Sequence, residues 1–199
     1  MVVPKVIEFG LKVLMYRPLF KNYYSLALTY ALYRLRLIKN RDVSIKCFDN
    51  SEMRINLHVI GSVIYSYLID RINSIDCRNG ILRTINGSLI PIDEYLVGSD
   101  GIGSALRNNW VYDFTNKYWF KDGIKFKHIY GPIVEIFDEE PYGSVDVRGR
   151  VVVDVGGFVG DSSIYFALRG ARRVYAIEPH PGAYQEMLEN IKLNNMQDK

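Results

Sequence analysis

"VVVDVGGFVGDSS", residues Val151 to Ser163, joins a run of β-branched residues to a cluster of glycines and then to residues that favour a helix start. The segment "RVVVDV" that leads into it is apolar on both faces, the pattern of a strand buried in a parallel sheet with helices on either side. "SSIYFALR" continues as a helix, with Asp161 or Ser162 placed to cap its start and Gly170 just past its end. "RRVYAI" repeats the buried-strand pattern, Glu178 stands at its C-terminal tip, and "GAYQEMLENIKLNN" reads as a second helix. The alternation predicts a βαβ unit with a right-handed crossover, and an α/β unit of this kind binds ligands above the C-terminal ends of its strands.

The loop at that end narrows the ligand. Gly156, Gly157 and Gly160 let the backbone turn sharply and approach a ligand closely, because no Cβ intrudes. Glu178, 18 positions after Gly160, is placed to accept hydrogen bonds from both hydroxyls of a ribose. A dinucleotide fingerprint needs G-x-G-x-x-G, whereas this loop reads G-G-x-x-G, with Val155 where the first glycine belongs. Asp154 heads the loop instead, in the order D-x-G-x-x-x-G, and an anion there suits an ammonium better than a pyrophosphate. S-adenosylmethionine combines an ammonium with an adenosine ribose. An NAD(P)-binding oxidoreductase or epimerase is the alternative reading of the same βαβ unit.

Over residues 142–195 the chain resembles the start of the class I S-adenosylmethionine-dependent methyltransferases, above all the FkbM-type family. The resemblance implies a Rossmann-like sheet, with Asp154, Gly156 and Gly160 as the first cofactor motif and Asp161 and Ser162 beneath the methionine part. It places Glu178 on the ribose and Pro179 and His180 next to the adenine, and Gly157 stands where the family commonly has alanine. It further implies O-methylation of a sugar or another small-molecule acceptor. His180 reads as a packing residue before a general base, and Tyr142, ahead of the first strand, as an aromatic lid over the cofactor or an ordinary tyrosine. The family sheet has seven strands and two are present here. The expectation is therefore a fragment carrying the cofactor-binding half, a fold completed by a second chain, or a non-catalytic interaction subunit. No catalytic base is assigned.

The remaining sequence is globular. Of 199 residues 48% are apolar, enough for a real core, and a net charge of +3 argues for no particular acidic partner. The distribution is uneven: residues 1–41 carry eight Lys and Arg against Glu8, a net +7 that leaves −4 for the rest. A helical pattern from Pro4 to Ile38 is broken at Pro18, giving two helices. In the second, Leu28, Ala31, Leu32 and Leu35 share one face. The first reading is a helix packed on its own domain; peripheral contact with a membrane surface is the alternative.

Between residues 42 and 141 the pattern is α+β. Alternation predicts hairpins at "VSIKCF…MRINLHV", at "ILRTINGSLIPI" turning on Asn86-Gly87, and at "YWFKDGIKFKHIY" turning on Asp122-Gly123. Ile60, Ile64, Leu68 and Ile75 predict a helix that stops at Asn79-Gly80, and "GSDGIGSALRNN" reads as a loop and short helix. Aromatics crowd Trp110 to Tyr130 among lysines; strand packing explains them more simply than stacking on nucleic acid, so nucleic acid is not an expected partner. Cys47 and Cys77 read as separate thiols with no metal-binding spacing, which points to a reducing, cytoplasmic setting. The sequence divides into a basic helical segment (1–41), an α+β region (42–141) and the start of a Rossmann-like methyltransferase domain (142–199).

Overall fold

The computed structural model describes residues 19–39, 42–68, 71–94 and 101–199. The expected first helix and the break at Pro18 lie outside them. The chain is mixed α/β and divides into two compact units, Met1–Ser99 and Asp100–Lys199. Residues 100–141 therefore share a unit with the glycine loop, where the sequence pattern put a boundary at 141.

In the first unit α1 (Tyr23–Arg34) precedes the antiparallel hairpin β1 (Asp42–Lys46) and β2 (Glu52–Asn56). Helix α2 (Leu57–Leu68) follows directly, then the sheet β3 (Ile72–Asp76), β4 (Ile81–Thr84) and β5 (Leu89–Pro91). Ile45, Leu57, Val63, Ile72, Leu82 and Ile90 form its buried core. The expected long helix through Ile75 ends at Leu68 instead, because Ile72 and Ile75 are claimed by pairing with Thr84 and Leu82 across β4. At Asn86-Gly87 only Gly87 takes a positive φ, +85°, so this turn is wider than the primed two-residue turn expected. Cys47 and Cys77 are joined in a disulfide, with Cα atoms 5.9 Å apart. The reading of two separate thiols is thus corrected, and the cytoplasmic setting loses that support.

In the second unit a short helix α3 (Ile102–Arg107) leads into the antiparallel sheet β6 (Val111–Asp113), β7 (Tyr118–Lys121) and β8 (Ile124–Phe126). Asp122 and Gly123 both have positive φ, the primed turn expected there. Trp110, Trp119 and Phe126 are fully buried, so the aromatic crowding is core. A short helix α4 (Gly131–Val134) continues into a wider turn of helix over Glu135–Glu139, and then β9 (Val151–Val155), α5 (Asp161–Leu168), β10 (Arg173–Ile177) and α6 (Pro181–Leu193) complete the chain. Strands β9 and β10 are parallel, with Val153 opposite Tyr175 and Val155 opposite Ile177. Val152 and Val174 pack on Tyr165, Phe166, Ile136 and Val147. The other face, Val151, Val153, Val155, Tyr175 and Ile177, is exposed. The strands were expected to be covered on both faces; among the described residues they pair only with each other.

Candidate cofactor-binding site

The site is built where the ends of β9 and β10 meet the starts of α5 and α6. The amides of Gly156 and Gly157 both donate to the Ile177 carbonyl, at 2.8 and 3.1 Å, which ties the glycine loop to the end of β10. Gly156 has φ +83° and Gly160 φ +88°, conformations that favour glycine. The three glycines serve different ends. A Cβ at Gly156 would meet nothing within 4 Å, whereas one at Gly160 would lie 3.0 Å from Met187 Cγ of α6. One at Gly157 would touch Ala176 and Met187 at 3.4 Å. Gly156 is thus the open position of the loop, and Gly160 lets α6 close on it.

Asp154, in β9, turns to the start of α5. Its Oδ2 accepts the hydroxyls of Ser162 at 2.7 Å and Ser163 at 2.5 Å. Gly160 is the residue that precedes the first turn of α5, not Asp161 or Ser162. Asp161 opens that turn and is buried; burial lifts its carboxyl to a pKa of about 6, against the pull of its own amide and that of Ser162 and with help from the charges of Asp154 and Glu135.

Glu178, just past β10, binds backbone on both oxygens: Oε2 accepts the Phe158 amide at 2.9 Å and Oε1 the His180 amide at 2.7 Å. Each carboxylate oxygen keeps a further lone pair, so the group can still receive two hydroxyls. Pro179 is exposed, and His180 caps α6, its Nδ1 accepting the Ala183 amide at 3.2 Å. Helix capping accounts for the histidine ring without a role as a base. Tyr142 rests on the core ring of Phe166, centroids 5.2 Å apart.

Several positions were missed by sequence reasoning. Phe158 adopts φ +44° inside the loop and its ring meets Tyr130 edge-on at 5.2 Å. The Tyr130 hydroxyl donates to Glu186 Oε2 at 2.9 Å, and burial raises the Glu186 pKa. Asn190, fully buried, donates to the Val159 carbonyl at 2.9 Å and accepts the Lys127 amide at 2.8 Å, fastening α6 to the loop and to the segment after β8. A polar residue three positions after Met187 on the inward face of α6 could have marked Asn190 as buried, but not its partners. Among the described residues no group of three or more His, Cys, Asp or Glu could hold a metal ion.

Among the known proteins that share part of this sequence are two methyltransferases. Over 51 residues the chain is 45% identical to the ribosomal protein L11 methyltransferase of Carboxydothermus hydrogenoformans, which covers 26% of this chain and 17% of that protein. Over 56 residues it is 43% identical to protein arginine N-methyltransferase 6 of Danio rerio, covering 28% of this chain and 16% of that protein. The chain thus spans about a sixth of the length of the curated relatives it matches. No family model matches it, and no solved structure does. Both of these proteins are methyltransferases by name.

Proposed function

We propose that residues 142–199 carry the S-adenosylmethionine-binding part of a Rossmann-like methyltransferase of the FkbM type, acting on an oxygen of a sugar or another small-molecule acceptor. The observation that carries the reading is Glu178, held by two backbone amides beside the open position at Gly156. A carboxylate so fixed is pre-set for the two hydroxyls of a ribose, and its cost of ordering has been met within the fold. Asp154 and Asp161 give the loop a negative character that favours the ammonium of the methionine part. Gly156, Gly157 and Gly160 shape the backbone, Ser162 orients Asp154, and Pro179 and His180 border the adenine side. Bound there, the sulfonium supplies an electrophilic methyl group for in-line displacement by the acceptor. The local likeness to two methyltransferases supports the reaction class, and the acceptor rests on the family resemblance alone.

Calorimetry of the full chain with S-adenosylhomocysteine, and with NAD⁺ as the competing arm, tests the proposal. Binding of the homocysteine analogue that falls at least about tenfold in Glu178→Ala supports it. Preference for the dinucleotide, or binding indifferent to Glu178, overturns it.

A further inference from the structure

Helix α1 presents apolar side chains outward. Tyr24 and Leu28 are 64% and 62% exposed, and Leu35 and Leu37, just past the helix, are 67% and 68% exposed. Tyr24, Leu28, Ala31 and Leu35 recur at the spacing that places residues on one helical face. Leu26, on the other side, is buried, and the helix start is fastened to β1: Asn22 donates to the Ser44 carbonyl at 2.9 Å and accepts the Lys46 amide at 2.8 Å. The inner face is therefore committed to the unit's own hairpin. A helix on a solvated surface ordinarily turns charge outward; this one turns leucine and tyrosine. The flanking charge is of one sign. From Lys21 to Arg41 the sequence has Lys21, Arg34, Arg36, Lys39 and Arg41, four tyrosines and no acid. Arg36 and Lys39 are exposed.

We propose that this stripe docks on an anionic lipid surface, α1 lying in the interfacial plane with Tyr24, Leu28 and Leu35 inserted among the acyl-chain ends and the cations on headgroup phosphates. Apolar stripe, tyrosines and an acid-free cationic margin are the three features such a surface selects. A second copy fits less well, because it would bring two acid-free cationic margins together. A span is excluded for α1 by its 12 residues, and no helix among the described residues is long and apolar enough to cross a membrane.

Co-sedimentation of the full chain with phosphatidylcholine vesicles, with and without phosphatidylglycerol, decides the matter. The expected result is a partition onto the anionic vesicles at least about tenfold above the neutral ones, weakened by salt. Leu28→Glu with Leu35→Glu is expected to lower it by at least about tenfold. Both side chains are exposed, so the variant should melt like the wild type; if it fails to fold, Arg36→Glu with Lys39→Glu serves instead and should abolish the anionic preference. No binding to either vesicle, or binding that survives both variants, overturns the proposal. So does a dimer in sedimentation equilibrium that the leucine variant dissociates without any vesicle binding.

Discussion

The backbone N–H of Phe158 donates to Glu178 Oε2 at 2.9 Å, so the residue proposed to read a ribose also fastens the loop after β9 to the loop after β10. The second oxygen takes the His180 amide at 2.7 Å. On the proposed function, binding and folding are therefore coupled at one carboxylate.

Glu178→Ala frees two amides at once, and Glu178→Gln keeps one accepting oxygen. The alanine variant is expected to lose about 1–3 kcal/mol of stability, the glutamine variant about half of that, with affinity for S-adenosylhomocysteine falling in the same order. Chemical denaturation and calorimetry on the three proteins check this. A loss of affinity with unchanged stability would show that the two amides do not depend on the carboxylate.

The glycines separate by the space around them. Gly157→Ala places its Cβ at ordinary contact distance from Ala176 and Met187, in a backbone conformation any residue adopts, and is expected to stabilise by about 0.5–1 kcal/mol. Gly160→Ala meets Met187 Cγ at 3.0 Å and a φ of +88°, and is expected to cost about 2 kcal/mol or more. Gly156→Ala carries the φ strain alone, about 1–2 kcal/mol, yet it fills the open side of the loop, so it should weaken ligand binding more than Gly157→Ala does. Thermal melts and titrations on the three variants give the ranking.

Much of the second unit was legible because its signals are local. Val151 to Val155, the glycines after it and Gly170 after α5 mark a strand, a turn and a helix within 20 residues, and the structure puts all three there. The same kind of reasoning carried α2 past Leu68 to Ile75, because Ile60, Ile64, Leu68 and Ile75 keep a helical spacing and, after Gly61, no glycine or proline interrupts it before Ile72. The strand there is imposed from outside, by β4. What binds the site together lies further apart still: Tyr130 meets Glu186 across 56 residues and Lys127 meets Asn190 across 63. Such pairs have no signature in a sequence window.

Cys47 and Cys77 are likewise 30 residues apart, and their bond ties the end of β1 to the end of β3. Closing a loop of that length is expected to stabilise the first unit by about 3–4 kcal/mol, through the entropy removed from the unfolded chain. Thermal unfolding with and without a phosphine reductant, and of Cys47→Ser with Cys77→Ser, measures it. A melting curve indifferent to both changes would mean that the thiols stay apart in solution.

Asp161 makes the stability of the second unit depend on pH in a direction opposite to most carboxylates. Its folded pKa, about 6, lies above the ordinary 3.8, so the native state keeps a proton that the unfolded chain has lost. The stability this contributes is complete below pH 3.8 and is lost as the pH rises through about 6. The shift corresponds to about 3 kcal/mol. Asp161→Asn removes the titration while keeping the shape of the side chain. The variant should gain on the wild type by up to about that amount between pH 4 and 7, and the gain should level off above it. Asp113 behaves in the ordinary way, its pKa lowered by bonds from Asn116 and Thr115, and acts below that window. Denaturant titrations of both proteins at intervals of pH therefore isolate Asp161, and a difference that stays flat from pH 4 to 7 would place its carboxyl in contact with water.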